Sequence, residues 1–290
     1  ALQKEGIDYL LYVKEESLQD GLKVTYFKDD NIIVKGEKSL FPKYDYNLDK
    51  KYNSSKEYFE ENGGVAKGTL AALNKRIKPT IGVYFSQKRD NSAIFVNIPG
   101  KGLKEIISIP NIICDVNNAM EEIASIDENC LRLVQNYNKK FPSYFEKELK
   151  NIEADGFEAI MNLCAYVLGM EDYLEFENAA FAYNSKSGLQ IDMRLIKIDG
   201  VNYLDYRKVV QSIMSYKMAD VDNRMLAFSF YESLSDLIKD NVTKIAQDID
   251  CKDLILCGDM FANSILLSKV SDSLGKSFEI NISKEIPLDY

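Results

Sequence analysis

Histidine is absent from the whole 290-residue sequence. This side chain is the one that most often acts as a general base near neutral pH, and it is the commonest metal ligand in proteins. Its absence excludes a Ser-His-Asp or Cys-His catalytic site within this chain. Any metal that these residues bind would need carboxylate or thiolate ligands alone.

Cysteine is scarce, and its spacing matches no familiar motif. The five cysteines are at positions 114, 130, 164, 251 and 257. An odd number of widely spaced cysteines without a C-x-x-C pair does not suit a disulfide framework or a zinc knuckle. The pattern suits a reducing compartment, and we expect a cytoplasmic protein.

Long apolar runs and an excess of positive charge are also missing. No run approaches the ~18 apolar residues that a membrane span needs, and the first residues lack the apolar segment of a secretory signal. The formal net charge is −9, whereas nucleic-acid binding needs a concentrated basic face. We therefore expect neither a membrane span nor a nucleic-acid partner.

The composition that is present is that of a globular protein, with 46% hydrophobic and 28% charged residues. Strand and helix patterns alternate along the chain, which predicts a mixed α/β fold. The predicted strands cover residues 22–27, 31–35, 80–85, 92–98, 104–109, 189–198, 254–256 and 277–283. The predicted helices cover residues 54–73, 116–128, 130–137, 144–153, 157–169, 205–217, 223–249 and 265–274.

One stretch near the C-terminus combines a strand, a turn and a helix. Leu254–Leu256 is a short apolar run, Gly258 breaks it, and apolar residues then recur at helical spacing from Ile265 to Leu274. Because the first turn of a helix presents free N–H groups and the positive end of its dipole, this geometry can hold a phosphate. One hypothesis is that Lys88 or Arg89, in the turn between two predicted strands, makes a second phosphate contact. The alternative is that this turn is simply an exposed hairpin tip.

Three stretches resemble motifs of HypF-type carbamoyltransferases, in the same order. Gly156-Phe-Glu-Ala159 leading to Leu168-Gly169 is similar to the family's Gly-Arg-Leu-Phe-Asp-Ala…Leu-Gly helix, and Glu175–Ala180 to its Ser-Tyr-Glu-Gly-Gln-Ala-Ala. Cys257–Asn263, with Ile286–Asp289 after it, is similar to Ser-Gly-Gly-Val-Phe-Gln-Asn followed by Pro-x-Asn-Asp.

The resemblance implies a two-lobed, actin-like (ASKHA) fold shared with the TsaD enzymes. It divides the chain into an N-terminal extension at 1–60, a first lobe at 61–155 and a second lobe at 156–290. It also implies ATP-dependent handling of carbamoyl groups for the cyanide ligands of nickel–iron hydrogenase, with ATP and Mg²⁺ as cofactors. The residues implied for nucleotide binding are Asp155, Gly156, Glu158, Cys257, Gly258, Asp259 and Asn263.

The chain departs from the family where chemistry is expected. It lacks the family's histidine-rich metal stretch and its Gly-Tyr-Gly-x-Asp-Gly loop, and Asp259 replaces the second glycine of the terminal motif. A carboxylate there would place negative charge beside a phosphate, where glycine lets the backbone approach closely. In a purely structural role, the charge of Glu158 at the start of its helix would complement the helix dipole.

These departures leave three hypotheses. The leading one is a catalytically degenerate HypF-like protein that acts by binding, as an accessory factor in hydrogenase maturation, with a hydrogenase subunit or maturation protein as partner. The second is an active ATP/Mg²⁺-dependent carbamoyl-transfer enzyme with a relocated interlobe site, in which Asp289 joins the other carboxylates as a metal ligand. The third is a module that binds nucleotide or carbamoyl-adenylate without turnover.

Overall fold

The structure of the chain is a computed structural model that describes residues 24–28, 31–36, 78–87, 92–98, 102–110, 116–142 and 156–282. The chain divides into two units, Ala1–Tyr58 and Phe59–Tyr290. The predicted helices at 54–73 and 144–153 and the candidate residues Lys88, Arg89, Asp155 and Asp289 lie outside the described residues.

The described part of the first unit is a β-hairpin. Strand β1 (Val24–Lys28) pairs antiparallel with β2 (Asn31–Gly36), so that Val24 lies opposite Gly36. A register irregularity falls between Tyr26 and Phe27. The alternating apolar pattern of these residues is typical of paired strands, and both predicted strands are confirmed.

The described part of the second unit contains a mixed seven-stranded sheet. Its strands in spatial order are β6 (Leu195–Ile198), β7 (Val201–Leu204), β5 (Gly102–Ser108), β4 (Ala93–Ile98), β3 (Thr80–Tyr84), β8 (Asp253–Cys257) and β9 (Glu279–Ile282).

Strand β3 lies between β4 and β8 in this sheet and is buried along its whole length. It forms an antiparallel meander with β4 and β5, as predicted, and pairs in parallel with β8 on its other side. Continuous apolar runs such as Leu254–Leu256 are typical of strands that are covered on both faces. Strands from both sides of the predicted lobe boundary near residue 155 therefore share one sheet, and the lobe boundaries themselves stay predictions.

Helices pack around the sheet. The described helices are α1 (Val116–Ala124), α2 (Glu128–Lys140), α3 (Gly156–Val167), α4 (Tyr173–Phe181), α5 (Tyr206–Met218), α6 (Asn223–Ile249) and α7 (Ser264–Leu274), with a 3₁₀ turn at Asp259–Ala262. None of these helices combines the length and apolar character that crossing a membrane requires.

Side-chain caps explain where several helices begin. Asp127, Asp172, Asp205 and Asp222 each accept a hydrogen bond from a backbone N–H in the first turn of the helix that follows. Such a cap satisfies one of the N–H groups that the start of a helix leaves without an intrahelical partner.

Helices α3, α4 and α6 supply most of the aromatic core beside the sheet. The ring of Phe176 lies 5.6 Å from that of Phe230 in an edge-on arrangement, and Phe230 lies 5.3 Å from Tyr231. All three side chains are completely buried. Large aromatic surfaces of this kind dominate core energetics, which fixes α4 against α6.

The predicted strand at 189–198 is wrong over its first half. Only Leu195–Ile198 forms a strand, whereas residues 188–194, which we call the strap, run alongside helices α5 and α6. Side chains of these helices take the backbone N–H groups that a sheet would have used: Glu232 binds Gly188, Ser229 binds Leu189, Ser233 binds Ile191 and Ser212 binds Asp192.

The hydrogen bonds of the strap lead to a prediction about how much Ser233 contributes to stability. Its hydroxyl accepts the Ile191 N–H at 2.8 Å, and both residues are buried. Ser233→Ala leaves that N–H without its partner, and we expect the free energy of unfolding to fall by about 1–3 kcal/mol.

Urea denaturation followed by circular dichroism measures this change. Ser215→Ala is the matched control, because Ser215 is exposed and its hydroxyl donates to Gln211 O in its own helix. We expect it to change stability by less than about 0.5 kcal/mol. Equal effects of the two substitutions would contradict the role assigned to the strap.

Candidate functional site

The predicted phosphate loop begins at Gly258, directly after β8. Its φ angle is +96°, a backbone conformation that side chains rarely adopt. A Cβ atom placed there would lie 2.1 Å from the carbonyl oxygen of Phe85 and 2.8 Å from its nitrogen. Only glycine therefore allows the loop after β8 to cross so close to the end of β3.

Phe85 is the residue on which this loop is seated. Its N–H donates to Cys257 O at 3.0 Å, and its carbonyl accepts from the Met260 N–H at 3.1 Å. Its ring lies 4.8 Å from that of Phe157 in α3 and 6.1 Å from that of Phe261 in the 3₁₀ turn. Backbone bonds and aromatic packing at this one residue bring together β3, the terminal loop and α3.

The carboxylate of Asp259 connects the loop to the residues that follow β3. Its Oδ1 accepts the backbone N–H of Gln87 at 2.5 Å. The carbonyl of Gln87 in turn accepts the N–H of Glu158 at 2.8 Å, one of the N–H groups that begin α3. Gln87 is 6% exposed, so this chain of hydrogen bonds lies largely out of water.

Asn263 caps helix α7. Its Oδ1 accepts the N–H groups of Ile265 at 3.0 Å and Leu266 at 3.2 Å, and its Nδ2 donates to Glu177 Oε1 at 3.0 Å. Both ends of this amide, which is only 4% exposed, are therefore engaged within the protein. The N–H groups of Ile265 and Leu266 are therefore bound to Asn263, at the position of the asparagine in the motif on which the resemblance rests.

Tyr231 lies beside this cap. Burial raises the pKa of Tyr231 well above its usual value, and the Glu177 charge acts in the same direction. Its hydroxyl lies 3.9 Å from the sulfur of Met161. The phenol stays protonated at physiological pH, so it can donate a hydrogen bond but cannot act as a base.

Cys257 ends β8 inside the protein. The side chain is completely buried, and its Sγ lies 3.5 Å from the carbonyl oxygen of Val83, to which it donates. A thiol in this position packs as a small apolar group rather than serving as an exposed nucleophile.

The structure brings most of the candidate residues into one region. Gly156 and Glu158 begin α3, Gly258 and Asp259 form the loop, and Gln87 connects the two parts. Within the described ranges, no group of three or more Cys, Asp or Glu side chains is arranged to hold a metal ion.

Sequence reasoning missed two residues of this region. Gln87 follows the first strand of the meander, and its role is backbone hydrogen bonding, which its side chain does not signal. Glu177 lies within the Glu175–Ala180 stretch that resembles the family, and that resemblance was the available signal for it.

The family follows from a match over more than half of the chain. The family model described as "Carbamoyltransferase, Kae1-like Domain, second subdomain" matches residues 115–289. The chain therefore belongs to this family, that of the C-terminal domain of HypF-type carbamoyltransferases.

The chain is also similar to individual proteins. Protein HydE of Wolinella succinogenes is 26% identical to this chain over 100% of the chain and 51% of HydE. The chain thus spans about half the length of the curated relative that it matches. Among solved structures, full-length HypF in a phosphate- and nucleotide-bound form has a TM-score of 0.54 and 14% identity, covering 76% of this chain and 38% of HypF.

A second solved structure, that of HypF from T. kodakarensis, has a TM-score of 0.53 and 10% identity, covering 73% of this chain and 32% of that protein. At these identities the two likenesses concern the fold alone. The predicted fold class, a mixed α/β fold related to the carbamoyltransferase domain of HypF, is confirmed.

The seating of the loop predicts that Gly258→Ala is strongly destabilising. A methyl group there would clash with the backbone of Phe85, which cannot move aside as the end of a flexible side chain can. Gly200→Ala is the matched control, because Gly200 also has a positive φ, of +88°, but no atom lies within 4 Å of its added Cβ. We expect Gly258→Ala to lose at least about 2 kcal/mol more than the control, the cost of overpacking.

Chemical denaturation of both variants measures the difference. A Gly258→Ala variant that fails to fold while Gly200→Ala folds agrees with the prediction. Equal destabilisation by the two substitutions would show that the Phe85 contact does not constrain the loop.

Proposed function

We propose that this chain is a HypF-like carbamoyltransferase domain that acts by binding, without carbamoyl transfer at the terminal loop, in the maturation of nickel–iron hydrogenase. The observation that carries the proposal is the hydrogen bond from the Gln87 N–H to the Asp259 carboxylate. A carboxylate of the protein itself holds a backbone donor beside the loop where the family resemblance leads us to expect a phosphate.

The negative charge of the Asp259 carboxylate would also repel a phosphate. Two unit negative charges about 4 Å apart repel by about 4 kcal/mol at an effective dielectric constant of about 20. A phosphate oxygen near Asp259 would meet this repulsion and would also need to displace the bond to Gln87. The cap by Asn263 does not bear on this difference, because the family motif has an asparagine at the same place.

The absence of histidine supports the same conclusion for the chemistry. The family resemblance implies a histidine-rich stretch that holds a metal, and this chain contains no histidine. The described carboxylates and thiols offer no replacement cluster. A domain of this fold can still present a surface or a cleft to a partner after its reactive groups are lost.

The hydrogenase setting comes from the family, because the resemblance implies a role in making the cyanide ligands of nickel–iron hydrogenase. The partner in this proposal is a hydrogenase subunit or another maturation protein, in the cytoplasm. Affinity purification from native cells, with the chain as bait, should recover such proteins. Recovery of neither class would count against the pathway.

Nucleotide binding is the second candidate, because a solved HypF structure of the same fold is in a phosphate- and nucleotide-bound form. In this alternative the chain binds ATP with Mg²⁺, or a carbamoyl-adenylate, with or without turnover. Gly156, Glu158 and the terminal loop would then line the binding cleft.

Replacement of Asp259 separates the two candidates. We predict that the parent protein does not bind ATP with Mg²⁺ at millimolar concentration and that Asp259→Gly does, because this change removes the charge and frees the Gln87 N–H. Isothermal titration calorimetry measures both. The same change should lower the free energy of unfolding by about 1.5–3 kcal/mol, the usual contribution of a hydrogen bond to a charged group.

Asp259→Asn is the control for charge. Its amide oxygen still accepts the Gln87 N–H, so we expect the loop to stay closed and ATP binding to stay absent. Micromolar ATP binding by the parent, lost in Glu158→Ala, would overturn the proposal in favour of the nucleotide-binding candidate. Release of phosphate from carbamoyl phosphate by the parent would support the active enzyme.

A further inference from the structure

A polar cavity lies between the strap and helix α5, away from the terminal loop. Its volume is about 330 Å³, within the range of small-molecule sites. Polar and charged side chains from the strap and from two turns of α5 line it: Asp192, Arg194, Lys208, Gln211, Ser212, Ser215 and Tyr216. None of the residues of the terminal loop contributes to it.

Hydrogen bonds fix the walls of this cavity. The Ser212 hydroxyl accepts the Asp192 N–H at 3.1 Å, and the Tyr216 hydroxyl donates to Gln190 O at 3.1 Å. These bonds hold the strap against α5 at Gln190 and Asp192. A site whose walls are already ordered loses less conformational entropy when a ligand binds.

Lys208 supplies a positive charge with hydrogen-bonding capacity to spare. Its ammonium group donates to Gln211 Oε1 at 2.8 Å and to Cys130 Sγ at 3.9 Å, which leaves one of the three N–H donors of an ammonium for a ligand. Gln211 accepts through its oxygen in this arrangement, which turns the NH₂ end of its amide into a further donor. The α5 wall of the cavity is therefore rich in donors.

Arg194 provides the second positive charge from the strap. Its guanidinium binds the Asp192 carboxylate through Nε at 3.0 Å and through Nη2 at 2.5 Å. The pair holds the guanidinium plane in place, and five N–H donors exceed what one carboxylate can accept. The lining thus has two cations and one carboxylate, in a chain whose net charge is −9.

Besides Asp192, which pairs with Arg194, two carboxylates outside the cavity lining interact with these cations. Asp205 is paired with Arg207 at 2.8 Å, and Asp127 accepts the Cys130 N–H at 2.8 Å as the cap of α2. Hydrogen bonds to Cys130 and the charge of Lys208 lower the pKa of Asp127. The Asp127 carboxylate keeps its negative charge, whereas that of Asp205 is balanced by Arg207, so a ligand in the cavity competes with Asp127 for Lys208.

We propose that this cavity is a binding site for a small polar molecule that carries an oxyanion, either a carboxylate or a phosphate. Lys208 and Arg194 bind the oxyanion, and Gln211 and Ser215 contact the uncharged polar part. The site is separate from the terminal loop and does not depend on the function proposed for that loop.

Calorimetric titration with two probes, inorganic phosphate and succinate, tests the proposal at an ionic strength held constant with KCl. Constant ionic strength is needed because added salt alone screens surface charges. We expect one probe to bind saturably and Lys208→Gln to weaken that binding at least about tenfold, as loss of a charged hydrogen bond does. The probe that binds identifies the oxyanion.

Two variants make the result specific. Lys208→Arg keeps the charge and should retain binding, whereas Lys244→Gln removes an exposed lysine of α6 outside the cavity and should leave binding unchanged. Circular dichroism of each variant checks that it is folded. Saturable binding by neither probe, or equal weakening by Lys208→Gln and Lys244→Gln, would overturn the proposal.

Discussion

The close contact between Gly258 and the backbone of Phe85 is the constraint on which the rest of the structure depends. It lets the chain leave β8 and cross the end of β3 at a distance that any side chain at position 258 would prevent. The hydrogen bonds of Phe85 to Cys257 and Met260 then fix the turn, and its ring packs against Phe157. One glycine thus joins β3 and β8 to the helix that begins at Gly156.

The same contact determines what the terminal loop can do. Because the loop lies so close to β3, the Asp259 carboxylate reaches the Gln87 N–H and bonds to it. Asp259 thus occupies a position where the family resemblance implies a phosphate site, and in the proposed function the domain serves binding rather than transfer.

Local signals were enough to predict β8, α6, α7 and the β3–β5 meander, because each follows from periodicity and from turn residues nearby. The strap was predicted as a strand because its alternation is the same, and only the distant hydroxyls of Ser229 and Ser233 show why it leaves the sheet. β7 (Val201–Leu204) was not predicted, since four residues are too few for a clear alternation. In the site, Gly258 and Asp259 were identified from the motif, whereas the bond from Asp259 to Gln87 joins residues 172 positions apart that no local pattern connects.

The proposed function requires a terminal loop that is closed to phosphate, and the backbone amide of Gln87 reports on this directly. The measurement is the position of the Gln87 signal in a ¹H–¹⁵N correlation spectrum of the parent protein while ATP with Mg²⁺ is added. With a closed loop, this signal is expected not to shift up to millimolar nucleotide. A saturable shift with a micromolar midpoint would show that the loop admits the nucleotide and would contradict the proposed function.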